Sequence, residues 1–361
     1  VSPTPATPRV ERIPAGEGAI WVGEGLLRDA SRYLVSPSGR FLLVSPASAR
    51  SASDPIRKAL GSAVLLDFEI EDGEAAKSLA NVEKISEAAL AAGLRRDDAF
   101  VAVGGGVATD VTGFAAAILL RGVAWNAVPT TTAGMADAAI GGKTAVNHPR
   151  GKNLLGAFHP PRAVLSDPVC LATLPDRDYR AGLVEAYKAA WVADPELSSR
   201  ASESLSAVLE RDGAALVALL AGAARVKIGI VETDPRDAGR RHLLNFGHTL
   251  GHALEGAVPW GTLRHGEAVA WGIAAALEIS KRRAGLSEQD AAAIRRTLSR
   301  LGPFPQPERD PKKLAPLLAL DKKATAAGTA GVLLEEIGRA RVEPSVPIPE
   351  WLDAAAIMSL S

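Results

Sequence analysis

The chain has 361 residues, 47% of them hydrophobic and 23% charged, which excludes wholesale disorder and suggests two domains. Forty-one basic residues balance 41 acidic ones, so the net basic footprint of a protein that lives on nucleic-acid phosphate is missing. A single cysteine, Cys170, excludes an intrachain disulfide framework and a cysteine-rich zinc site, and no uninterrupted apolar run reaches the ~18 residues that cross a bilayer.

Residues 1–9, rich in Pro, Ser and Thr, read as a flexible tail without a charged-then-apolar leader, and a cytoplasmic location is expected. Residues 10–177 read as an α/β domain. Apolar, β-prone runs at 41–45, 63–70, 99–103 and 163–167 alternate with helical patterns at 54–61, 75–93 and 110–120, the signature of a mostly parallel sheet. Residues 178–361 read as a mainly α-helical domain. Helical periodicity recurs at 178–193, 197–210, 214–233, 244–256, 265–283 and 287–300, with one strand-like run at 331–338.

Three segments of the first domain carry chemistry. Gly73-Glu74 opens a helix, with Lys77 one turn on; alone, this is an exposed i,i+3 ion pair. The strand at 99–103 runs into Gly104-Gly105-Gly106, and a helix is expected from about Asp110. Glycines there let backbone N–H groups approach a pyrophosphate, although Thr109 breaks the GxGxxG pattern and a tight strand–helix turn is the alternative. The polar segment 128–161 interleaves Asp137, Lys143, Asn147, Lys152 and Asn153 with Gly141-Gly142 and Gly156. A solvated loop would not need those glycines, and the two lysines suit a phosphate or carboxylate. Arg121, at the end of the preceding helix, adds to the same anion site, from this subunit or a neighbour.

Four of the six histidines lie between 242 and 265. His248 and His252 stand i,i+4 on one helix face, and His265 begins the next helix. Glu185 precedes Lys188 by one turn. Two imidazoles and a carboxylate, from Glu185, His248 and His265, suit a catalytic Zn²⁺ with an open position. The alternative pairs His248 with His252 as in metalloproteases, but Thr249 stands where that motif needs glutamate. His252 is then left to bind an anion or shuttle a proton.

Taken together, GGGVATDVTGF, VPTT, GGKTAVN, GKNLLGAF, LPDRDYRAGLVEAYK, RHLLNFGHTLGHALE, RHGEAVAWG and LDKK resemble the dehydroquinate synthase family, a branch of the sugar phosphate cyclases, in the family's order from about residue 73 to 338. The resemblance implies an N-terminal nucleotide-binding α/β domain, a helical C-terminal domain and a homodimer. It implies Glu185, His248 and His265 as ligands of Zn²⁺, with Co²⁺ as an alternative. It implies NAD held by Gly104, Gly105, Gly106, Asp110, Thr130 and Thr131, with Glu74 and Lys77 helping. Asp137, Lys143, Lys188 and His252 would be catalytic, and Arg121, Lys152, Asn153, Lys227, Arg241, Asn245 and Lys322 would bind substrate. The implied partner is a small sugar-acid phosphate, with neither nucleic acid nor membrane. The implied reaction converts 3-deoxy-D-arabino-heptulosonate 7-phosphate to 3-dehydroquinate by transient oxidation, phosphate elimination, reduction, ring opening and aldol closure. One departure stands out: Val44-Ser45-Pro46-Ala47 lacks the acidic residue that family members often place after this strand to hold the cofactor ribose. The competing readings are another sugar phosphate cyclase, a metal- and NAD-dependent polyol dehydrogenase, and a non-catalytic derivative of the same fold.

Overall fold

The computed structural model describes residues 10–320, 324–325 and 328–360; the tail expected at 1–9 and the candidate Lys322 lie outside them. The chain divides into two compact units, one running through Leu174 and taking in Leu216–Ile228, the other formed by Pro175–Ala215 and the residues from Gly229 onward.

The first unit carries β1 (Glu11–Ala15), β2 (Gly18–Val22), β3 (Phe41–Pro46), β4 (Val64–Ile70), β5 (Ala99–Gly104), β6 (Ala124–Pro129), β7 (Lys143–His148), β8 (Gly151–Phe158) and β9 (Ala163–Ser166). Seven strands form one sheet in the order β1-β2-β9-β6-β5-β3-β4. Only the β1–β2 pair is antiparallel. The central strands are continuous apolar runs because helices cover both faces of a parallel sheet, and β5 is buried from Ala99 to Gly104. From β3 the chain crosses to β4 on one side, then returns to place β5 on the other. The carboxyl ends of β3 and β5 therefore flank a topological switch point, where open α/β sheets bind ligands.

One expectation is corrected here. The helix after β5 begins at Gly106, not near Asp110, so the glycines sit at its first turn. Within the polar segment 128–161, β6 is followed by a π-helical turn, Gly134–Ala138, and then by the antiparallel β7–β8 hairpin. No buried apolar run marks this hairpin, because its strands stand outside the main sheet and β8 exposes much of its surface.

The second unit is mainly helical. Its helices include Asp176–Ala193, Pro195–Glu203, Leu205–Leu209, His248–Gly256, His265–Arg283, Glu288–Leu301, Pro311–Ala319 and Ile348–Ile357. Ala324–Thr325, Gly328–Glu336 and Arg339–Val346 form a small antiparallel sheet. The helix expected at 244–256 starts at His248, because Gly247 before it takes φ 79°, a left-handed conformation that separates it from the 3₁₀ turn Arg240–Asn245.

Residues 216–228, although past the expected boundary at 177/178, cluster with the first unit. They belong to a 21-residue helix, Gly213–Thr233. By length and composition this helix could cross a membrane, but most of its apolar window is buried in the fold. Its charged residues are also engaged within the first unit: Arg225 pairs with Glu11 and Lys227 with Asp137. It reads as the core helix of a folded protein.

Candidate active site

In the second unit Glu185 lies on the Asp176–Ala193 helix, His248 opens the His248–Gly256 helix and His265 opens the His265–Arg283 helix. Close backbone packing brings these elements together: a Cβ on Gly266 would lie 1.8 Å from the Ala181 carbonyl oxygen, so only glycine lets the two longer helices approach there. Glu185 is one turn from Ala181, and His265 is adjacent to Gly266.

The Glu185 carboxylate is buried, and Lys188 donates to its Oε2. Its Oε1 lies 3.8 Å from His248 Nε2 and 3.6 Å from His265 Nε2, yet it accepts no hydrogen bond. A buried carboxylate oxygen without a donor, faced by two imidazole nitrogens, is an acceptor set suited to a cation. The tautomers agree. His248 Nδ1 donates to the Phe246 carbonyl at 3.2 Å, and His265 Nδ1 donates to Glu255 Oε2 at 2.9 Å. In their neutral forms both Nε2 atoms therefore present lone pairs toward Glu185. Burial, reinforced by the charges of Lys188, His265 and His252, holds the His248 pKa well below the usual imidazole range, which keeps it in its ligating form. For His265, burial works against the charged form, but the hydrogen bond and charge of Glu255, with Glu185 behind them, raise its pKa. The residues present thus fit a divalent ion. His252 stands nearby: one ring nitrogen from each of His248, His252 and His265 falls within 4.8 Å of the others, so a three-histidine set is a second geometric option. Arg241 is buried, and its guanidinium donates to the Pro235 carbonyl at 3.0 Å. Asn245 ends the same 3₁₀ turn, three residues before His248.

In the first unit the glycine loop fits a dinucleotide. Gly104 has φ 151°, and a Cβ there would lie 2.7 Å from Ala108 Cβ. Gly105 caps the Gly106–Ile118 helix without any side-chain hydrogen bond, which leaves first-turn N–H groups for an anion. Thr130 N donates to the Gly104 carbonyl at 2.9 Å, and Thr131 Oγ1 accepts from Gly134 N at 3.0 Å, so both threonines edge the loop.

Glu74 and Lys77 do not form the exposed pair expected of them. Lys77, buried, donates to Asp110 Oδ2, and Glu74 Oε1 accepts from Asn147 Nδ2 at 2.8 Å. Burial pushes the Asp110 pKa up to about 6, against the charge and hydrogen bond of Lys77. Asn147 also accepts from Asn153 N at 3.1 Å, which ties the hairpin to this cluster. Lys227 Nζ donates to Asp137 Oδ1 at 2.6 Å and to the Asp137 carbonyl. Lys143 and Lys152 are exposed on the β7–β8 hairpin. Arg121 is exposed in a 3₁₀ turn beyond the helix, with φ 65°.

Two residues escaped the sequence reading. Glu255 shares a helix face with His248 and His252 at i, i+4 and i+7, a spacing that would have revealed it. Asp72 brings a carboxylate to the end of β3 from the loop after β4: Ser48 N donates to its Oδ2 at 3.3 Å, and Ser48 Oγ to its Oδ1. Its signal was spatial, since nothing in the linear sequence joins it to β3.

A family model described as 3-dehydroquinate synthase N-terminal matches residues 67–181, and one described as 3-dehydroquinate synthase C-terminal matches residues 182–324. The 3-dehydroquinate synthase of Nitrosospira multiformis is 42% identical over 279 residues, 77% of this chain and 76% of that protein. That of Solibacter usitatus is 38% identical over 335 residues, 92% of this chain and 94% of that protein. Among solved structures, 2-deoxy-scyllo-inosose synthase complexed with carbaglucose-6-phosphate, NAD⁺ and Co²⁺ superposes with a TM-score of 0.87 at 26% identity, covering 97% of this chain and 100% of its own. A 2-epi-5-epi-valiolone synthase from Streptomyces hygroscopicus with NAD⁺ and Zn²⁺ bound gives 0.84 at 30% identity, covering 97% and 98%.

Proposed function

The chain belongs to the 3-dehydroquinate synthase family, and from that premise we propose how its residues divide the work. It is a lyase of the shikimate pathway that converts 3-deoxy-D-arabino-heptulosonate 7-phosphate to 3-dehydroquinate and phosphate, with NAD and a zinc or cobalt ion as cofactors. The observation that carries the residue assignment is the undonated Glu185 Oε1 facing His248 Nε2 and His265 Nε2.

When bound, the ion supplies Lewis acidity to substrate hydroxyls, and NAD supplies a hydride acceptor that ends each turnover in its starting oxidation state. Glu185, His248 and His265 hold the ion. Lys188, fixed on Glu185, sets an ammonium beside that position, where it favours a substrate anion. His252, exposed and next to the other two rings, holds or passes a proton at a ring nitrogen. Arg241 and Asn245 orient the sugar acid. Lys227 is aimed by Asp137 and, with Lys143, Lys152, Asn153 and Arg121, binds anionic groups of the substrate. Gly104, Gly105, Gly106, Thr130 and Thr131 seat the dinucleotide phosphates, Asp110, Glu74 and Lys77 fix the surrounding loops, and Asp72 presents a carboxylate to a ribose hydroxyl. Lys322 keeps its place in this scheme by the resemblance alone. A homodimer in the cytoplasm completes the proposal.

The test is turnover of the heptulosonate phosphate by metal-loaded enzyme with NAD. One phosphate per substrate with unchanged absorbance at 340 nm supports it. Accumulating NADH would point to a polyol dehydrogenase, and turnover only of a sugar phosphate lacking the carboxylate would point to another cyclase.

A further inference from the structure

We propose that Glu255 is a positioning residue for the metal centre, acting through His265; the inference rests on the ligand assignment above. The two histidines that face Glu185 are held differently. His248 is buried, and a neutral main-chain carbonyl two residues back holds its Nδ1. His265 is 44% exposed on its side chain against 11% for His248 and stands at the first position of its helix, so fewer neighbours restrain its ring. Its Nδ1 is held by a carboxylate from another helix, Glu255 Oε2 at 2.9 Å, and that carboxylate is only 14% exposed. Glu255 lies in the last turn of the helix that His248 opens, so one hydrogen bond ties the end of that helix to the start of the next across residues 257–264.

Three consequences follow for His265. The bond fixes the tautomer that bares Nε2. It orients the ring so that Nε2 lies 3.6 Å from Glu185 Oε1, and it makes the imidazole a stronger donor than a carbonyl partner would. Glu255 does for His265 Nδ1 what the Phe246 carbonyl does for His248 Nδ1.

The experiment compares wild type, Glu255→Gln and Glu255→Ala. It reads Zn²⁺ affinity by chelator competition, the visible spectrum of the Co²⁺ form, and the melting temperature of the metal-free protein. Zn²⁺ affinity should fall by about 10–100-fold in Glu255→Ala and by less in Glu255→Gln, whose amide oxygen still accepts from Nδ1. The Co²⁺ spectrum should shift while metal-free melting stays close to wild type. In a His265→Ala background, adding Glu255→Gln should change Zn²⁺ affinity no further. Unchanged Zn²⁺ affinity in both single variants would overturn the proposal, as would a further tenfold loss in the His265→Ala background. Metal-free melting that falls while affinity holds would assign Glu255 a purely structural role and overturn it too. Failure of wild type to bind metal would instead overturn the ligand assignment.

Discussion

Replacing Glu185 with Gln tests the charge balance of the metal site without changing its volume. The Glu185 carboxylate and the Lys188 ammonium are partners, each 2% exposed on its side chain. The amide removes the negative charge and leaves the ammonium buried without an ionic partner. Breaking a buried pair from one side typically costs about 3–5 kcal/mol. Lys188→Met should cost a similar amount, because the carboxylate is then stranded. The double variant removes both charges and should return to within about 1 kcal/mol of wild type, since well-packed neutral side chains often replace a buried ion pair at little cost. The assay is urea unfolding of chelator-treated protein near neutral pH, followed by far-UV circular dichroism, with the three variants forming a double-mutant cycle. Single variants within about 1 kcal/mol of wild type, or a double variant as unstable as the singles, would refute the argument.

Three further predictions use other parts of the molecule. Gly266→Ala should destabilise by about 1–3 kcal/mol or more, because its Cβ would meet the Ala181 carbonyl, whereas Gly229→Ala, with nothing within 4 Å, should be neutral or stabilising; equal effects on melting temperature would contradict the packing argument. Asp110 titrates near 6 in the folded chain and near 3.8 in the ordinary state, so the folded protein binds the extra proton between those values. Its contribution to stability therefore decreases as pH rises through that window, by up to about 1.4 kcal/mol per pH unit. Asp110→Asn should remove this slope, and identical stability–pH curves would count against it. Gly104→Ala should raise the NAD dissociation constant while leaving zinc binding intact, because the new Cβ forces the loop away from Ala108; unchanged NAD affinity, measured calorimetrically, would remove the loop from the nucleotide site.

Much of the fold was legible because its signals are local. Buried parallel strands such as 41–45 and 99–103 are short apolar runs, and the segments of the second unit are rich in Ala, Leu, Glu and Arg, which are good helix formers. The histidine cluster was legible because helical spacing places His248 and His252 on one face and His265 opens the next helix, and the resemblance implied the same Glu185, His248 and His265 set that the residue types suggest. What was not legible depends on distant partners. The β7–β8 hairpin stands outside the main sheet, and β8 leaves apolar residues such as Leu154 and Phe158 exposed, so no buried apolar run marks it. Lys77 faces Glu74 in sequence but reaches Asp110, 33 residues away. The helix Gly213–Thr233 looks continuous with its helical neighbours, yet contacts to Glu11 and Asp137 place its middle with the α/β unit. No acid directly follows β3 in sequence, and the Asp72 carboxylate reaches Ser48 from the loop after β4, a juxtaposition visible only in three dimensions.

The most direct test of the account is anomalous diffraction from crystals of the Co²⁺-loaded protein. It should place one ion per chain bound to Glu185 Oε1, His248 Nε2 and His265 Nε2. An ion held by His248, His252 and His265 with Glu185 turned away, or one bound elsewhere, would contradict it.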